Sequence, residues 1–242
     1  MNEQATQDRV AENYEALRHK LPYAKRYHDW WLQLMVKMAR TNGRVLDNGC
    51  GVGPMFALLH GQQELVGADL SYEMLRRAKT KTADVGLAQA DSLHLPFANT
   101  TFDLIYARAL LHHFPNPEVG IAEMHRILKP GGQVILADTN QSILSAIPRK
   151  IAYRSDNFSD DHSNLDRHQY LEWVSSYFEI ERVHFFGYLA YPFGFPDMMG
   201  PIRRVPFPPI LVSTLIQIDN VISRIPVVKT QSWGLIVSAF KK

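Results

Sequence analysis

Between residues 43 and 139, short apolar runs alternate with amphipathic segments, and this order constrains the fold of the 242-residue chain more than any other feature. Strand-like runs such as ELVGADL and FDLIYA alternate with helix-like segments such as SYEMLRRAKTKTA and PEVGIAEMHRIL. The strand-like runs are apolar on both faces, which is typical of a parallel sheet covered by helices on both sides. Such sheets bind ligands at the carboxyl ends of their strands. The pattern therefore predicts an α/β fold with its site at that edge.

Helices are also predicted before and after this region. Helical spacing of apolar residues indicates two helices at 2–20 and 25–40, and PMFALLHG is expected to form a helix that begins near Pro54. After Thr139 we expect a helix near 168–176, strands at FEIERVHFF and WGLIVSAF, and an apolar helix at 210–225. The KPGG segment is expected to turn into the strand QVILADT.

The length fits one domain, because single cores grow to about 250 residues. We divide the 242 residues into an N-terminal helical cap (1–42), a cofactor-binding core (43–140) and a substrate-side and C-terminal region (141–242) that contains an insertion at 187–230.

Composition limits the partners and the location. With 26 Lys and Arg against 24 Asp and Glu, the net charge is +2, so no nucleic-acid partner is indicated. One cysteine and a polar start without a secretory pattern favour a reducing cytoplasm. The longest apolar stretch, residues 210–218, is far shorter than the roughly 20 residues of a spanning helix, so we expect none.

A glycine-rich loop follows the first predicted strand, in the sequence DNGCGVG at 47–53. Glycines at alternate positions allow a tight turn and a close approach of the backbone to a ligand. The dinucleotide fingerprint is G-x-G-x-x-G, whereas this spacing is G-x-G-x-G, and Pro54 removes one N–H that could bind phosphate. The loop thus favours a cofactor that contains a nucleoside but no phosphate, and it argues against NAD.

Two further acidic positions follow predicted strands. Asp69 lies 18 residues after Gly51, where a carboxylate can accept hydrogen bonds from both hydroxyls of a ribose. Asp91 with Ser92 ends the third strand, where a carboxylate could accept a hydrogen bond from the amine of an adenine. Helix capping for Asp69, and a solvated turn for Asp91, are the alternative interpretations.

Five segments in order, VLDNGCGVG, LVGADLSYEML, LAQADSLHLPF, FDLIYARALLHHF and ILKPGGQVILAD, resemble the motifs of class I S-adenosylmethionine (SAM)-dependent methyltransferases over roughly residues 10–139. The resemblance implies a Rossmann-like three-layer sandwich whose seven-stranded, mostly parallel sheet has an antiparallel last strand. It implies SAM as cofactor, converted to S-adenosylhomocysteine. Asn48 departs from the residue that the family often has. The implied cofactor contacts are Asp47, Gly49, Cys50 and Gly51 at the methionine end, Ala107 through its carbonyl to the methionine amine, Asp69 at the ribose, Asp91, Ser92, Leu70 and Met74 at the adenine, and Tyr14 closing over the cofactor.

Catalytic residues are less well defined by the sequence. A sulfonium is already a reactive methyl donor, but an oxygen or carbon acceptor usually loses a proton, for which histidine is suited. No metal site is predicted. The candidate bases are His112 and His113 after the fourth strand, and His162 with Asp161 in the following polar loop. Tyr27, Trp30 and Trp31 are either core residues or part of the acceptor pocket.

The predicted reaction is methyl transfer from SAM to an O, N or C atom of a small apolar or aromatic metabolite or lipid. The alternatives are an NAD-dependent oxidoreductase and a non-catalytic SAM-binding partner subunit. The insertion carries Arg203, Arg204 and an apolar helix, and long irregular segments of this kind are often functional. It could be an extra helix on the sheet, a lid over the acceptor, or, through 200–226, a peripheral membrane or homodimer contact.

Overall fold

The computed structural model describes residues 3–59, 61, 64–82, 84–143, 166–196, 199 and 205–242. These residues form a seven-stranded sheet with helices on both faces. The strands are β1 (Arg44–Asn48), β2 (Glu64–Asp69), β3 (Gly86–Gln89), β4 (Phe102–Arg108), β5 (Leu128–Thr139), β6 (Phe178–Phe186) and β7 (Gly234–Lys241).

The strand order is β3-β2-β1-β4-β5-β7-β6. Strands β1 to β5 pair in parallel, and β7 runs antiparallel to β5 and β6, which confirms the predicted Rossmann-like sheet. Asn48 at the end of β1 lies opposite Ala68 of β2 and Ala107 of β4. The carboxyl ends of these three central strands therefore meet at one edge, where the sequence places the glycine loop.

The helices are α1 (Glu3–Glu15), a π-helical turn (Ala16–Lys20), α2 (Pro22–Met38), α3 (Tyr72–Lys79), α4 (Pro117–Ile127), α5 (Arg167–Tyr177), α6 (Tyr191–Gly194) and α7 (Pro209–Ile222), with 3₁₀ turns at Leu111–His113 and Lys229–Gln231. Local signals explain where several of them begin. The side chains of Ser71, Asn116 and Asp166 accept hydrogen bonds from backbone N–H groups in the first turns of α3, α4 and α5. None of the described helices is long and apolar enough to cross a membrane.

The expected helix after Pro54 is wrong. Residues 54–59 form successive turns, in which Phe56 N donates to Gly53 O and Leu59 N to Met55 O. Gly53, the residue before this segment, has a φ of 70°, which lies outside the α-helical region but does not by itself prevent a helix from starting at Pro54. The turns bury the side chains of Met55, Phe56 and Leu59 in one core cluster. This packing stabilises the segment without a regular helix.

The KPGG segment also differs from expectation, because it lies inside β5, which begins at Leu128. Leu128 pairs with Phe102, and the pairing then shifts before Gln133 pairs with Leu104. Gly131 has a φ of 72°, so the backbone turns locally at this residue and forms an irregularity within β5.

Part of the insertion closes one end of the sheet. The aromatic rings of α2 pack against α6, and Arg26 on α2 donates to Ser213 on α7. Asp219 on α7 is buried and accepts hydrogen bonds from the backbone N–H groups of Tyr188, Leu189 and Ala190, at 2.8 to 3.1 Å. This carboxylate joins α7 to the segment that leads into α6, because it satisfies three consecutive donors that would otherwise be buried without partners.

The Asp219→Asn substitution is expected to lower the free energy of unfolding by about 2 kcal/mol, since an amide offers one acceptor oxygen and loses the charge. Urea denaturation measures this change. The exposed Asp84, changed to Asn in the same way, is the matched control and should stay within about 0.5 kcal/mol of the parent chain. Equal stability of Asp219→Asn and the parent would contradict this role of the carboxylate.

Candidate cofactor and acceptor site

The glycine loop folds back onto β2 at the carboxyl edge of the sheet. The backbone N–H groups of Gly49 and Cys50 both donate to the carbonyl of Ala68, at 2.8 and 2.9 Å. Gly51 has a φ of 54°, and a side chain there would meet no atom within 4 Å. The loop therefore borders open space at Gly51, while its conformation still requires glycine. Cys50 is buried, and burial raises the pKa of its thiol, so it is not a reactive thiolate.

Asp69 connects this loop to the end of β2. One carboxylate oxygen accepts from Gly51 N at 2.7 Å, and the other accepts from Ser71 N at 2.9 Å. Burial raises the pKa of Asp69 against the opposing effect of these hydrogen bonds. Each carboxylate oxygen can accept more than one hydrogen bond, so both oxygens keep capacity for a ligand. Leu70 and the buried Met74 follow on the same side of the loop.

Asp47 is the most unusual acid of the site. It is buried on β1, and its Oδ2 atom has no hydrogen-bond partner in the part of the chain that the structure describes. Burial raises its pKa to about 7, although the nearby positive charge of Arg108 works in the opposite direction. A buried carboxylate is costly unless a cation or donors satisfy it, so this atom is placed for a charged ligand group.

Arg108, the last residue of β4, is a candidate site residue that sequence reasoning missed. It is buried, yet it makes no ion pair within 4 Å in the described ranges. Its guanidinium lies 3.5 Å from the hydroxyl of Tyr14 and 5.2 Å from the ring centre of Trp31. Although burial opposes ionisation, the charges of Arg108 and Arg18 lower the pKa of Tyr14. An arginine directly after the apolar strand run was the signal that could have found it.

Asp91 and Ser92, predicted at the adenine, follow the end of β3, and Ala107, predicted at the methionine amine, lies near the end of β4. Ser92 is buried and donates to Oδ1 of Asn48 at 2.8 Å. Asp91 is exposed and accepts a hydrogen bond from Leu93 N in a turn. Both interpretations of Asp91, an adenine contact and a solvated turn, therefore stay open. Ala107 is buried opposite Asn48. Asn48, which departs from the residue that the family often has, therefore positions the Ser92 side chain through the hydrogen bond between them.

The histidines after β4 form a pair. Nδ1 of His112 lies 2.6 Å from Asp138, and the His112 and His113 rings are 4.2 Å apart. Burial opposes ionisation of Asp138, but the interaction with His112 and a backbone hydrogen bond lower its pKa. Burial raises the pKa of Asp69, and the positive charge of a protonated His113 acts against this effect. Catalysis by His113 stays a prediction, and Asp161, His162, Arg203 and Arg204 lie outside the described residues.

The aromatic stripe of α2 is buried toward the insertion. Tyr27 and Trp31 are in the core, and Trp30 is half-buried against it. Tyr27 lies 6.1 Å from the ring of Tyr191, and Trp31 lies 6.2 Å from the ring of Phe195. The stripe therefore forms the boundary between the first two helices and α6, beside Arg108.

Comparison with known proteins gives the family. A family model described as a methyltransferase domain matches residues 46–136. The demethylmenaquinone methyltransferase of Lactiplantibacillus plantarum is 30% identical over 198 residues, which are 77% of this chain and 82% of that enzyme. The phosphatidylethanolamine N-methyltransferase of Cereibacter sphaeroides is 34% identical over 132 residues, 51% of this chain but only 64% of that enzyme.

A SAM-dependent methyltransferase from Thermotoga maritima has the same fold, with a TM-score of 0.67 over 98% of this chain and 99% of that one, at 18% identity. The chain belongs to the class I SAM-dependent methyltransferases, an enzyme family that uses SAM to methylate its substrates. Neither the oxidoreductase nor the non-catalytic alternative is favoured by these relationships.

Proposed function

We propose that this enzyme holds SAM at the carboxyl ends of β1, β2 and β4 and methylates a lipid or another small apolar or aromatic acceptor, which enters between the first two helices and α6. The observation that carries the proposal is the pair of buried, opposite charges, Asp47 and Arg108, which make no ion pair in the described ranges and lie next to an aromatic wall.

These two charges fit the amino acid end of SAM. That end carries an ammonium and a carboxylate, and a buried carboxylate and a buried guanidinium are the matching partners. Asp47 would bind the ammonium together with the carbonyl of Ala107, and Arg108 would bind the carboxylate with the hydroxyl of Tyr14. The orphaned Oδ2 of Asp47 supports this fit, because a bound cation would supply its missing partner.

The rest of the cofactor would extend along the edge toward β3. Asp69 would bind the ribose, and the open space at Gly51 supports close approach of the ligand to the loop. Tyr14 is half-buried at the end of α1, where it would cover the cofactor. The remaining proposed contacts are the backbone of Gly49 and Cys50, and, at the adenine, Leu70, Met74, Asp91 and Ser92.

SAM supplies a methyl group on a positively charged sulfur, ready for transfer. The contribution of the protein is then to orient the acceptor and exclude water, which can supply several kcal/mol of the barrier. The buried rings of Trp31, Phe186 and Phe195 form an apolar region beside Arg108, and an apolar region excludes water. His113 is retained as a candidate for removing a proton, since it follows β4 at the carboxyl edge and its charge acts on Asp69.

A lipid acceptor is supported by two independent facts. The two relatives are named for demethylmenaquinone and phosphatidylethanolamine, and both compounds are lipids. In addition, α7 and the turn after it expose Ile210, Val221, Ile225 and Val227. Arg224 and Lys229 are exposed nearby, and Asp219, the one acid between 205 and 231, is buried. An apolar surface with only positive exposed charges suits an anionic lipid surface, so we assign the insertion to peripheral membrane contact.

Matched ligands test the cofactor contacts. Arg108→Gln is expected to weaken S-adenosylhomocysteine binding about tenfold or more but to leave 5′-methylthioadenosine unaffected, because the second compound lacks the amino acid end. Asp69→Ala should weaken both by more than about 1 kcal/mol, since both carry the ribose. Isothermal titration calorimetry measures the four affinities, and thermal unfolding checks that the glycine loop stays folded. Unchanged affinities for Asp69→Ala would contradict the ribose contact.

The raised pKa of Asp47 predicts a pH dependence of binding. Below pH 7 the free enzyme holds a proton on Asp47, and an ammonium can bind well only after that proton leaves. Affinity for S-adenosylhomocysteine should therefore fall by up to about tenfold per pH unit as the pH drops below about 7. Asp47→Asn should weaken binding and remove this slope. An equally steep slope for 5′-methylthioadenosine would assign the proton to another group.

Methyl-labelled SAM, incubated with the enzyme and a fractionated cell extract, tests the acceptor. Label is expected in the lipid phase and should be lost with Arg108→Gln. The enzyme should also sediment with phosphatidylglycerol vesicles more than with phosphatidylcholine vesicles, and Val221→Ser should reduce that difference. Label confined to the aqueous phase would overturn the lipid acceptor, and no label in any fraction despite SAM binding would overturn methyl transfer.

A further inference from the structure

Helix α1 crosses the edge of the sheet where the cofactor is proposed to bind. In its first half, Asp8 contacts Ser71 and Glu73 at the start of α3, which follows β2. Near its end, the hydroxyl of Tyr14 lies 3.5 Å from the guanidinium of Arg108 at the end of β4. The strand order places β1 between β2 and β4, so α1 passes over the end of β1 and its glycine loop. A cofactor bound at this edge therefore lies beneath α1.

Asp8 is joined to the proposed ribose acid through one serine. The Ser71 hydroxyl donates a hydrogen bond to Asp8, and the Ser71 N–H group donates to Asp69 at 2.9 Å. The N–H group of Glu73 donates to the same oxygen of Asp8 at 3.2 Å. Ser71 is fully buried, so it has little freedom to move independently of these partners. The position of α1 and the position of Asp69 are thus coupled.

Glu15 attaches the other end of α1 through two ion pairs. Its carboxylate lies 3.2 Å from Arg77 of α3 and 3.1 Å from Lys81, which follows α3. Lys81 also donates to the carbonyl of Val52 in the glycine loop, at 2.8 Å. Although burial opposes ionisation, Lys81 and Arg77 lower the pKa of Glu15, so its carboxylate is charged near pH 7. We call Asp8 and Glu15 the latch residues.

The apolar contact between α1 and the rest of the protein is small among the described residues. Ala11 is buried in one cluster with Val52 of the glycine loop and Met74 of α3, and Tyr14 packs against this cluster. The cluster is separate from the two large cores of the sheet. A segment with few buried apolar contacts can open while the rest of the protein stays folded. The polar contacts of the latch residues are therefore important for keeping α1 closed.

The connection between α1 and α2 can act as a hinge. Residues 16–20 form a π-helical turn, and Leu21 is extended, with φ of −70° and ψ of 123°, before α2 begins at Pro22. Hinges are commonly a few residues at the ends of elements that absorb changes of φ and ψ. Helix α2 itself is anchored in the core by Trp31 and its neighbours. Helix α1 can therefore rotate as a unit while α2 stays in place.

We propose, on the basis of the proposed function, that α1 is a latched lid: SAM enters and S-adenosylhomocysteine leaves only when the contacts of Asp8 and Glu15 with α3 break. The latch residues act as positioning residues, because they hold α1 over the site and not the cofactor itself. They control how fast the cofactor is exchanged. Since α1 covers Val52 and Met74, on the side proposed for the adenosine, a ligand without the amino acid end is covered too.

Stopped-flow measurements with S-adenosylhomocysteine and 5′-methylthioadenosine test the lid without any acceptor, and tryptophan fluorescence supplies the signal, because Trp31 lies beside Arg108. Glu15→Gln is expected to raise the association and dissociation rate constants of both ligands at least about fivefold. The affinity should change less than about twofold, because the closed lid is destabilised equally in the free and the bound enzyme. Asp8→Ala should also raise both rate constants. The exposed Glu172 of α5, changed to Gln, is the matched control and should leave them within about twofold of the parent values.

The two rate constants separate a lid from mere damage to the site. A rise of the dissociation rate constant alone in Glu15→Gln would overturn the inference, and so would parent-like rate constants in both latch variants. The labelled-methyl experiment measures the proposed function separately. If label never enters the lipid phase but both rate constants rise in the latch variants, the lid stands and the lipid acceptor fails; label in lipid with unchanged rate constants means the reverse.

Discussion

The hydrogen bond from Gly51 N to the Asp69 carboxylate is the interaction on which the site depends. It fixes the glycine loop of one strand against the end of its neighbour, and the two N–H groups that bind the Ala68 carbonyl complete the attachment. Because β1 and β2 are parallel, this attachment brings their carboxyl ends and the loop into one plane. A ligand can then meet Asp47 and Asp69 at once, without any movement of the sheet.

The charges of the site are arranged for a ligand rather than for stability. Asp47 and Arg108 lie close enough to influence each other, yet they form no ion pair in the described ranges. A direct pair between them would satisfy both groups and leave little for a cofactor to gain. Because the two groups stay apart, each still lacks an ion-pair partner of opposite charge, and a zwitterionic ligand carries both of the missing charges. On the proposed function, a zwitterionic ligand would offset the unfavourable burial of these two charges.

Local patterns predicted the sheet and placed the glycine loop and Asp69 together at its carboxyl edge. The N-cap of Ser71, the spacing from the glycines to Asp69 and the apolar strand runs all act within one or two elements, so they can be read along the chain. The helix after Pro54 failed because the joint burial of Phe56 with its neighbours overrides the helical pattern of the segment. Arg108 escaped notice because its importance comes from contacts between β4 and the first two helices, which are distant in sequence.

Trp31 contacts both the proposed cofactor side and the proposed acceptor side of the site, so it physically links the two. One part of its surroundings is the guanidinium of Arg108, and the other consists of His28, Phe186 and Phe195. An anion bound to Arg108 would change the electrostatic field over the same indole that packs against His28. Since α2 carries both Trp31 and His28, and Nε2 of His28 donates to the carbonyl of Gly194 in the insertion, the insertion fixes the acceptor side relative to the cofactor side. On the proposed function, variation in this insertion would change the acceptor side while the strand ends proposed to bind the cofactor stay the same.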